Sequence, residues 1–155
     1  MLQTEGSNGI IPFLVAYHFD FDSTNGIARC RLEGVISDQE VNDCYQDCAD
    51  YVARTSPRAG VLDLSAVTFL NATPQTVRNL AALVPALPDP SRTRCIIAPS
   101  DHVFGMARLF EIEGEHTRPN LHVIRTAEEA WAILSVRKPH FNTHQEPAKN
   151  RKTSA

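Results

Sequence analysis

Residues 60–84 read GVLDLSAVTFLNATPQTVRNLAALV, a strand that leads straight into a helix. Residues 61–64 form a short apolar strand, and residues 67–70 either continue it or cross the edge of the sheet. Thr73 has the position of a helix N-cap, and Pro74 lies in the first helical turn. Such a junction leaves free backbone amides at one edge of a sheet, where an anion or a phosphorylated hydroxyl can bind. Apolar residues at helical spacing predict that this helix buries Val77, Leu80, Ala81 and Val84.

Upstream of this junction, a period of two predicts an antiparallel hairpin. In residues 17–22 the aromatic side chains point one way, and the histidine and the two aspartates point the other. Asn25-Gly26 is a strong turn pair because both residues tolerate positive φ. Ser37 and Glu40 then form a capping box, so a helix begins there. The return strand buries Ala28, Cys30, Leu32 and Ile36.

Downstream of the junction, two more strand–helix units follow. Residues 94–98 form the next strand, in which Cys95, Ile96 and Ile97 are an apolar run typical of a strand covered on both faces, and Ser100 can cap the next helix. Residues 121–124 form the last strand, and Thr126 with Glu129 forms a second capping box. We therefore expect an α/β fold with a single mixed sheet of about five strands, an N-terminal antiparallel hairpin followed by strand–helix crossovers. The two helices bury Val103, Met106, Ala107 and Phe110, and Ala130, Ile133 and Leu134, respectively.

Composition limits the class of protein. A chain of 155 residues suits one domain with one core, and its net charge of −3 argues against a dedicated nucleic-acid binder. No apolar run approaches the roughly 20 residues that cross a bilayer. We expect a cytoplasmic protein that neither binds nucleic acid nor inserts into a membrane. The polar residues 1–9 and the basic residues 137–155 predict disordered ends around a domain at residues 10–136.

The cysteines and histidines do not indicate a metal or a cofactor. Cys44 and Cys48 lie four apart on the apolar face of a predicted helix, and no cysteine pair has CxxC spacing. His140 and His144 lie in a segment too polar for a stable helix. We therefore predict reduced, mostly buried cysteines, no metal site and no cofactor.

The segment VLDLSAVTF at residues 61–69 resembles the signature of STAS domains, found in anti-sigma-factor antagonists and in the cytoplasmic tails of sulfate transporters. In that family a strand ending in Asp-Leu-Ser precedes Asp-Ser-Ser-Gly at a helix start, where this chain has Asn71-Ala72-Thr73-Pro74. The resemblance extends in element order over residues 17–136. It implies a STAS-like domain and puts Thr73 at the position of the phosphate-accepting serine. Thr73 is therefore either a phosphate acceptor or a plain N-cap.

The resemblance also implies a role. STAS-like modules act by binding, so the expected function is a bacterial regulatory or scaffold protein without enzymatic activity. Its partner would be a protein such as a kinase-type or signalling regulator, and a homodimer is a further expectation. The broader fold group is similar to CRAL-TRIO lipid-binding domains, which leaves a small-ligand or lipid carrier as the alternative. A protein of unknown function without a catalytic role is the remaining alternative.

The candidate binding residues follow from the geometry of parallel sheets. Ligands gather at the carboxyl ends of the strands, where several polar residues of this chain are expected. The helix after residue 100 adds apolar groups that either cover the core from a second side or form a partner surface. Gly105 inside that helix suggests the close approach of another backbone, a ligand or a partner. The candidates are Ser65, Asn71, Thr73, Ser100, Asp101, His102, Phe104 and Met106.

A catalytic site is not expected among these residues. Ser100, Asp101 and His102 are consecutive, so on one helical turn their side chains point in different directions and cannot form a nucleophile–base relay. The chain also lacks the Gly-x-Ser-x-Gly turn of serine hydrolases and a phosphate-binding glycine loop.

Overall fold

The computed structural model describes residues 16–142 and 146–147. These residues form one mixed sheet with helices on both faces, which confirms the predicted fold class. The elements are β1 (Tyr17–Asp22), β2 (Ile27–Ser37), α1 (Asp38–Thr55), β3 (Ala59–Asn71), α2 (Pro74–Ala81), β4 (Thr93–Ile97), α3 (Asp101–Glu113), β5 (Leu121–Ile124), α4 (Ala127–Ile133) and β6 (Glu146–Pro147).

The strand order is β5-β4-β3-β2-β1-β6. β1 and β2 are the antiparallel hairpin, and β2 to β5 run parallel, as strand–helix crossovers require. The two-residue β6 extends the sheet beyond the five strands that the sequence predicts, by pairing antiparallel with β1. In the turn of the hairpin only Gly26 has a positive φ, of 71°.

Asp20 and Asp22 lie on the strand face opposite the aromatic side chains, as predicted, but this face is not the exposed side of a half-buried strand, because both aspartates are buried. Arg29 holds Asp20 through two hydrogen bonds of 2.9 and 2.6 Å. Asp22 accepts hydrogen bonds from the Asn25 amide and from the backbone N–H of His140. Charged and hydrogen-bonded partners let these carboxylates be buried, and a period of two cannot reveal such partners.

Residues 67–70 continue the strand formed by residues 61–64, because both segments belong to β3, a single strand of 13 residues. Its first part pairs with both β2 and β4, but beyond Asp63 the described pairs of β3 are with β2 alone. Two register shifts in this second part let β3 advance one extra residue each time against β2. The result is a parallel two-stranded ribbon, residues 33–37 and 66–71, that extends past the end of β4 and closes at the pair Ser37–Asn71.

The core has two parts, one on each face of the sheet. Helices α1 and α3 contribute residues such as Cys44, Val103 and Ala107 to the larger part, and α4 packs Ala130 on the other face. Val84, predicted to be buried, is 75% exposed because α2 ends at Ala81. Ile133 is likewise exposed, and its neighbour Leu134 packs into the core instead.

Residues 137–142, which follow the predicted domain boundary at residue 136, contact the sheet and α4. The backbone N–H of Asn142 donates to the Phe21 carbonyl at 3.4 Å. The Phe141 ring lies 3.7 Å below the Arg29 guanidinium and 5.9 Å from the Trp131 ring. An aromatic ring between a cation and an indole is a stable arrangement that a polar composition conceals. The other predicted disordered residues lie outside the described ones, apart from the strand β6.

Candidate functional site

The ribbon formed by β2 and β3 exposes two large apolar side chains. Val35 is 60% and Phe69 55% exposed, and the two are paired in register. Adjacent strand residues point to opposite faces, so with Ile36 and Leu70 buried these two face outward. Gly34 precedes Val35 with a φ of 79°, a conformation that suits glycine and accompanies the irregular register here.

His102 at the start of α3 joins this apolar pair. Its ring stacks on Phe69, with 6.2 Å between ring centroids and 16° between planes. Its Nε2 lies 2.9 Å from the Leu70 carbonyl oxygen. Because a carbonyl only accepts, Nε2 carries the proton and donates. We call the surface formed by Val35, Phe69, Asn71, Thr73 and His102 the ribbon patch.

Thr73 lies at the edge of the ribbon patch and caps α2, as the sequence predicts. Its Oγ1 accepts from the Thr76 backbone N–H at 3.2 Å. Its own N–H donates to Asp38 Oδ1 at 2.8 Å, and Pro74 has no N–H to offer. Most of the expected cluster of free amides is therefore already bonded, and little of it is left for a bound anion.

Asp38 is a residue that the sequence reasoning missed. It occupies the first turn of α1 yet bonds to the amide that begins α2, so one carboxylate serves two neighbouring helix starts. The pair Ser37–Asn71 at the end of the ribbon brings these starts together. The Thr73 side chain remains exposed, so a phosphate on its hydroxyl would reach solvent but would lie near the Asp38 carboxylate.

The consecutive Ser100, Asp101 and His102 are separated by their contacts, as their spacing predicts. Asp101 pairs with Arg125 at 2.8 Å, whereas His102 is bonded to β3. Ser100 is the N-cap of α3 but makes no side-chain capping bond. The three side chains therefore form no relay.

The remaining candidates lie apart from the ribbon patch. The Ser65 hydroxyl donates to Asp63 Oδ1 at 2.6 Å and has no described contact with the α2 start. Phe104 is half-buried, packs on the core and is covered by the Arg125 guanidinium at 4.0 Å. Met106 also packs on the core. Gly105 is exposed with open space around it, so no other backbone of the described residues approaches it, and the approach of a ligand or a partner stays a prediction.

Beneath helices α1 to α3 lies an apolar cavity of about 220 Å³. Cys30, Cys44 and Cys48 form part of its wall, and the first two sulfur atoms are 3.4 Å apart. Burial raises the pKa of the Cys30 and Cys48 thiols, so both stay protonated and act as apolar wall groups. Arg94 and Arg118 also reach the cavity wall.

The described residues contain neither a candidate metal centre nor a helix that could span a membrane. No group of three or more histidine, cysteine, aspartate or glutamate side chains in residues 16–142 is arranged to hold a metal ion. No helix in the described part of the chain is both long and apolar enough to span a membrane.

Comparison with known proteins adds one distant structural likeness. No protein-family model and no curated relative matches the chain. Among solved structures, the phosphorylated form of the Bacillus cell fate determinant SpoIIAA is similar, with a TM-score of 0.47 and 14% identity. The match covers 74% of this chain and 96% of that chain. A likeness this distant assigns neither a family nor an activity to the chain.

Proposed function

We propose that the protein is a non-enzymatic regulatory or scaffold module that binds a protein partner through the ribbon patch. The observation that supports this proposal is the exposed pair Val35–Phe69 at the end of the sheet. An apolar surface with a polar rim is typical of protein interaction sites, and Asn71, Thr73 and His102 supply that rim.

The edge of β3 beside the patch supports the same proposal. Beyond Asp63, the described strand pairs of β3 are with β2 alone, and His102 bonds to the Leu70 carbonyl, so residues 65–69 are the part of the other edge that we propose for an added strand. Exposed strand edges pair readily with extended peptides, and neighbouring pockets or rings then provide specificity. Phe69 lies on this segment and would contact such a peptide directly.

Phosphorylation of Thr73 is the regulatory part of the proposal. A phosphate adds a charge of about −1.5 to −2 at neutral pH. At Thr73 it would lie near the Asp38 carboxylate and compete with the hydroxyl's capping bond to Thr76. The rim of the patch would then change charge and shape, which would alter partner binding and suits a kinase-type regulator. Four free cysteines agree with the cytoplasmic location that we propose for the module.

The test compares partner capture by matched variants from a lysate of the source organism. Phe69→Asp places a charge in the centre of the patch, and Ile133→Asp makes the same change at an exposed position on α4. We expect Phe69→Asp to reduce the capture of a specific partner at least about tenfold, with Ile133→Asp unchanged. Equal capture by both variants would contradict the proposal.

Two further measurements define the partner and the regulation. Light scattering of the wild type and of Phe69→Asp tests the homodimer: a dimer that Phe69→Asp dissociates would identify the partner as a second copy of the chain. Thr73→Glu tests the phosphate, and we expect altered capture with an unchanged circular dichroism spectrum. Unaltered capture would remove Thr73 from the proposal.

The apolar cavity favours a second candidate function, the binding of a small ligand. Its volume of about 220 Å³ lies between the about 150 Å³ that accommodates benzene and the roughly 300 to 1,000 Å³ of sites for larger ligands. A compact apolar ligand fits this space, and the wall of the cavity indicates what else that ligand carries.

A further inference from the structure

The wall of the cavity is mostly apolar and includes three arginines, of which Arg29 is already paired with Asp20. Leu64 and Ile96 from the sheet and Val77 and Val103 from the helices are among its lining residues. Arg94 and Arg118 are the cationic groups that line it close to the start of β4 and β5. These positions are at the amino edge of the parallel strands, opposite the ribbon patch.

Arg94 is deeply buried, with 8% of its surface exposed. Its terminal nitrogens donate to backbone carbonyls of the preceding loop, at Leu87, Asp89 and Arg92. Its Nε–H is also buried and has no acceptor. An unbonded donor on a buried cation is costly, and an acceptor in the cavity would remove that cost.

Arg118 is buried even further, with 4% exposed. It lies 4.6 Å from the Phe110 ring and donates to the Tyr45 hydroxyl at 2.6 Å. Its other acceptors are the Thr117 hydroxyl and carbonyls at the end of α2 and just beyond it, at Leu80, Ala81 and Leu83. The partial negative charge of a helix C-terminus favours a cation there, so Arg118 is stabilised by the fold itself.

No carboxylate of the described residues lies within 4.0 Å of either guanidinium. Burial and then the neighbouring Arg118 lower the pKa of Arg94, while Asp89 acts weakly in the opposite sense. The Asp89 carboxylate is itself taken by Ser91 and Arg92. Two buried cations that repel each other beside an apolar space are complementary to an anion with an apolar tail.

A route into the cavity is also visible. A surface groove between α1 and the loop after α2 is lined by Val52 and residues 85–87, and the same residues line the cavity. These residues therefore border both spaces, and the cavity is partly open to solvent. Residues 85–87 lie outside helices and strands, so a ligand can enter past them without displacing either.

We propose that the cavity binds a small anionic amphiphile, a monocarboxylate with an alkyl tail. Its carboxylate accepts a hydrogen bond from the Arg94 Nε–H, and its tail lies between the sheet and helices α2 and α3. The site is independent of the ribbon patch, so the ligand and the protein partner can be tested separately.

Calorimetric titration of the full chain tests this proposal with three probes. Octanoate carries both the charge and the tail, octan-1-ol carries the tail alone, and acetate carries the charge alone. We expect octanoate to bind in a 1:1 ratio and at least about tenfold more tightly than octan-1-ol, because a hydrogen bond to a charged group adds that much. Acetate is expected not to bind. Absence of octanoate binding at millimolar concentration, or equal binding of the alcohol, would overturn the proposal.

Matched variants locate the site. Arg94→Gln should reduce octanoate affinity at least about tenfold and leave octan-1-ol affinity unchanged. Arg78→Gln removes one positive charge from the exposed face of α2, outside the cavity, and should change neither affinity. Retained preference for octanoate in Arg94→Gln would overturn the role of this arginine.

A second variant covers the case in which Arg94→Gln does not fold. Val77→Phe places a larger side chain in the cavity and should abolish binding of both octanoate and octan-1-ol, with a cooperative unfolding transition retained. Binding that survives in folded Val77→Phe would mean that the ligand binds elsewhere, which overturns the proposal. Phe69→Asp should keep full octanoate affinity, so failure of the ribbon patch and failure of the cavity site are distinguishable.

Discussion

The backbone groups at the helix ends are hydrogen-bonded in different ways at the two edges of the sheet. At the carboxyl edge, helix amides are bonded by side chains such as Thr73, Asp38 and Glu129. At the amino edge, the last carbonyls of α2 are bonded by the buried Arg118, and loop carbonyls by Arg94. The acceptors at the first edge are exposed or partly exposed, whereas the donors at the second are buried cations without a nearby carboxylate in the described residues.

The difference shows where unbalanced charge lies in this molecule. In open α/β sheets, ligands usually bind at the carboxyl edge, and that rule directs attention to Thr73 and Asn71. The structure shows that the amides there are mostly bonded already, so the edge offers an apolar patch rather than an anion site. The unbalanced positive charge lies at the opposite edge, beside the cavity.

We expect the largest effect on stability from the replacement of Arg118, one of the two buried cations at the amino edge. Arg118→Met leaves the carbonyls of Ala81 and Leu83 and the Tyr45 hydroxyl without their donor. We expect the free energy of unfolding to fall by about 3 kcal/mol, measured by urea denaturation. Arg78→Met, at an exposed ion pair, should change it by less than about 0.5 kcal/mol. A loss below about 1 kcal/mol in Arg118→Met would mean that the two edges do not differ as described.

Removing the carboxylate that joins two helices at the carboxyl edge should cost less. Asp38→Ala removes the acceptor of the Thr73 amide and an acidic group from the first turn of α1. We expect a loss of about 1 to 2 kcal/mol in the free energy of unfolding. Asp38→Asn keeps an acceptor oxygen without the charge and should recover part of that loss. Equal losses in both variants would assign the effect to the charge rather than to the hydrogen bond.

The two threonine caps of this edge permit a closer comparison. Thr73→Ala and Thr126→Ala each remove one hydroxyl that accepts from an amide of the first helical turn. We expect each to lower the free energy of unfolding by about 1 kcal/mol, while Thr73→Ser stays close to the wild type. A negligible effect of Thr73→Ala alone would show that Asp38 is sufficient to begin α2, and that the hydroxyl is free for modification.

The smallest expected effect is a pH dependence at Glu129. Hydrogen bonds from the Arg125 and Thr126 amides and from the Thr126 hydroxyl lower the pKa of its carboxyl. The unfolded chain therefore binds this proton at higher pH than the folded protein does. The stabilisation by Glu129 is complete above its unfolded pKa of about 4.3 and is lost as the pH falls through the folded pKa.

Unfolding of the wild type and of Glu129→Gln between pH 3 and 6 checks this sign. The difference in the free energy of unfolding between the two proteins should be constant near pH 6 and become smaller towards pH 3. A difference independent of pH would contradict the stated role of the carboxylate.

The sequence predicts what neighbouring residues determine. Thr73 and Thr126 are correctly predicted as caps because the capping partners lie three residues away in the chain. The order of elements follows from hydrophobic periodicity in the same way. The contact between Asp38 and Thr73 joins residues 35 positions apart, which no local pattern reveals.

Other features depend on packing between residues far apart in the chain, which no local sequence pattern reveals. Val84 continues the helical spacing of α2, but the helix ends before it, so the apolar pattern misleads. Phe69 is exposed because its neighbour Leu70 faces the core. The irregular register between β3 and β2 determines which of the two faces the core. The cavity is lined by residues from many helices and strands, so no local sequence pattern predicts it or the arginines beside it.

The single tryptophan of the chain lies on the sheet face opposite the cavity. Trp131 contacts Phe141, which belongs to the segment that closes over Arg29. The tryptophan fluorescence of the protein therefore comes from this one position and reports whether residues 137–142 are docked on the sheet. Ligand entry beneath α1 to α3 would leave the emission unchanged, so occupancy there has to be followed by a different method.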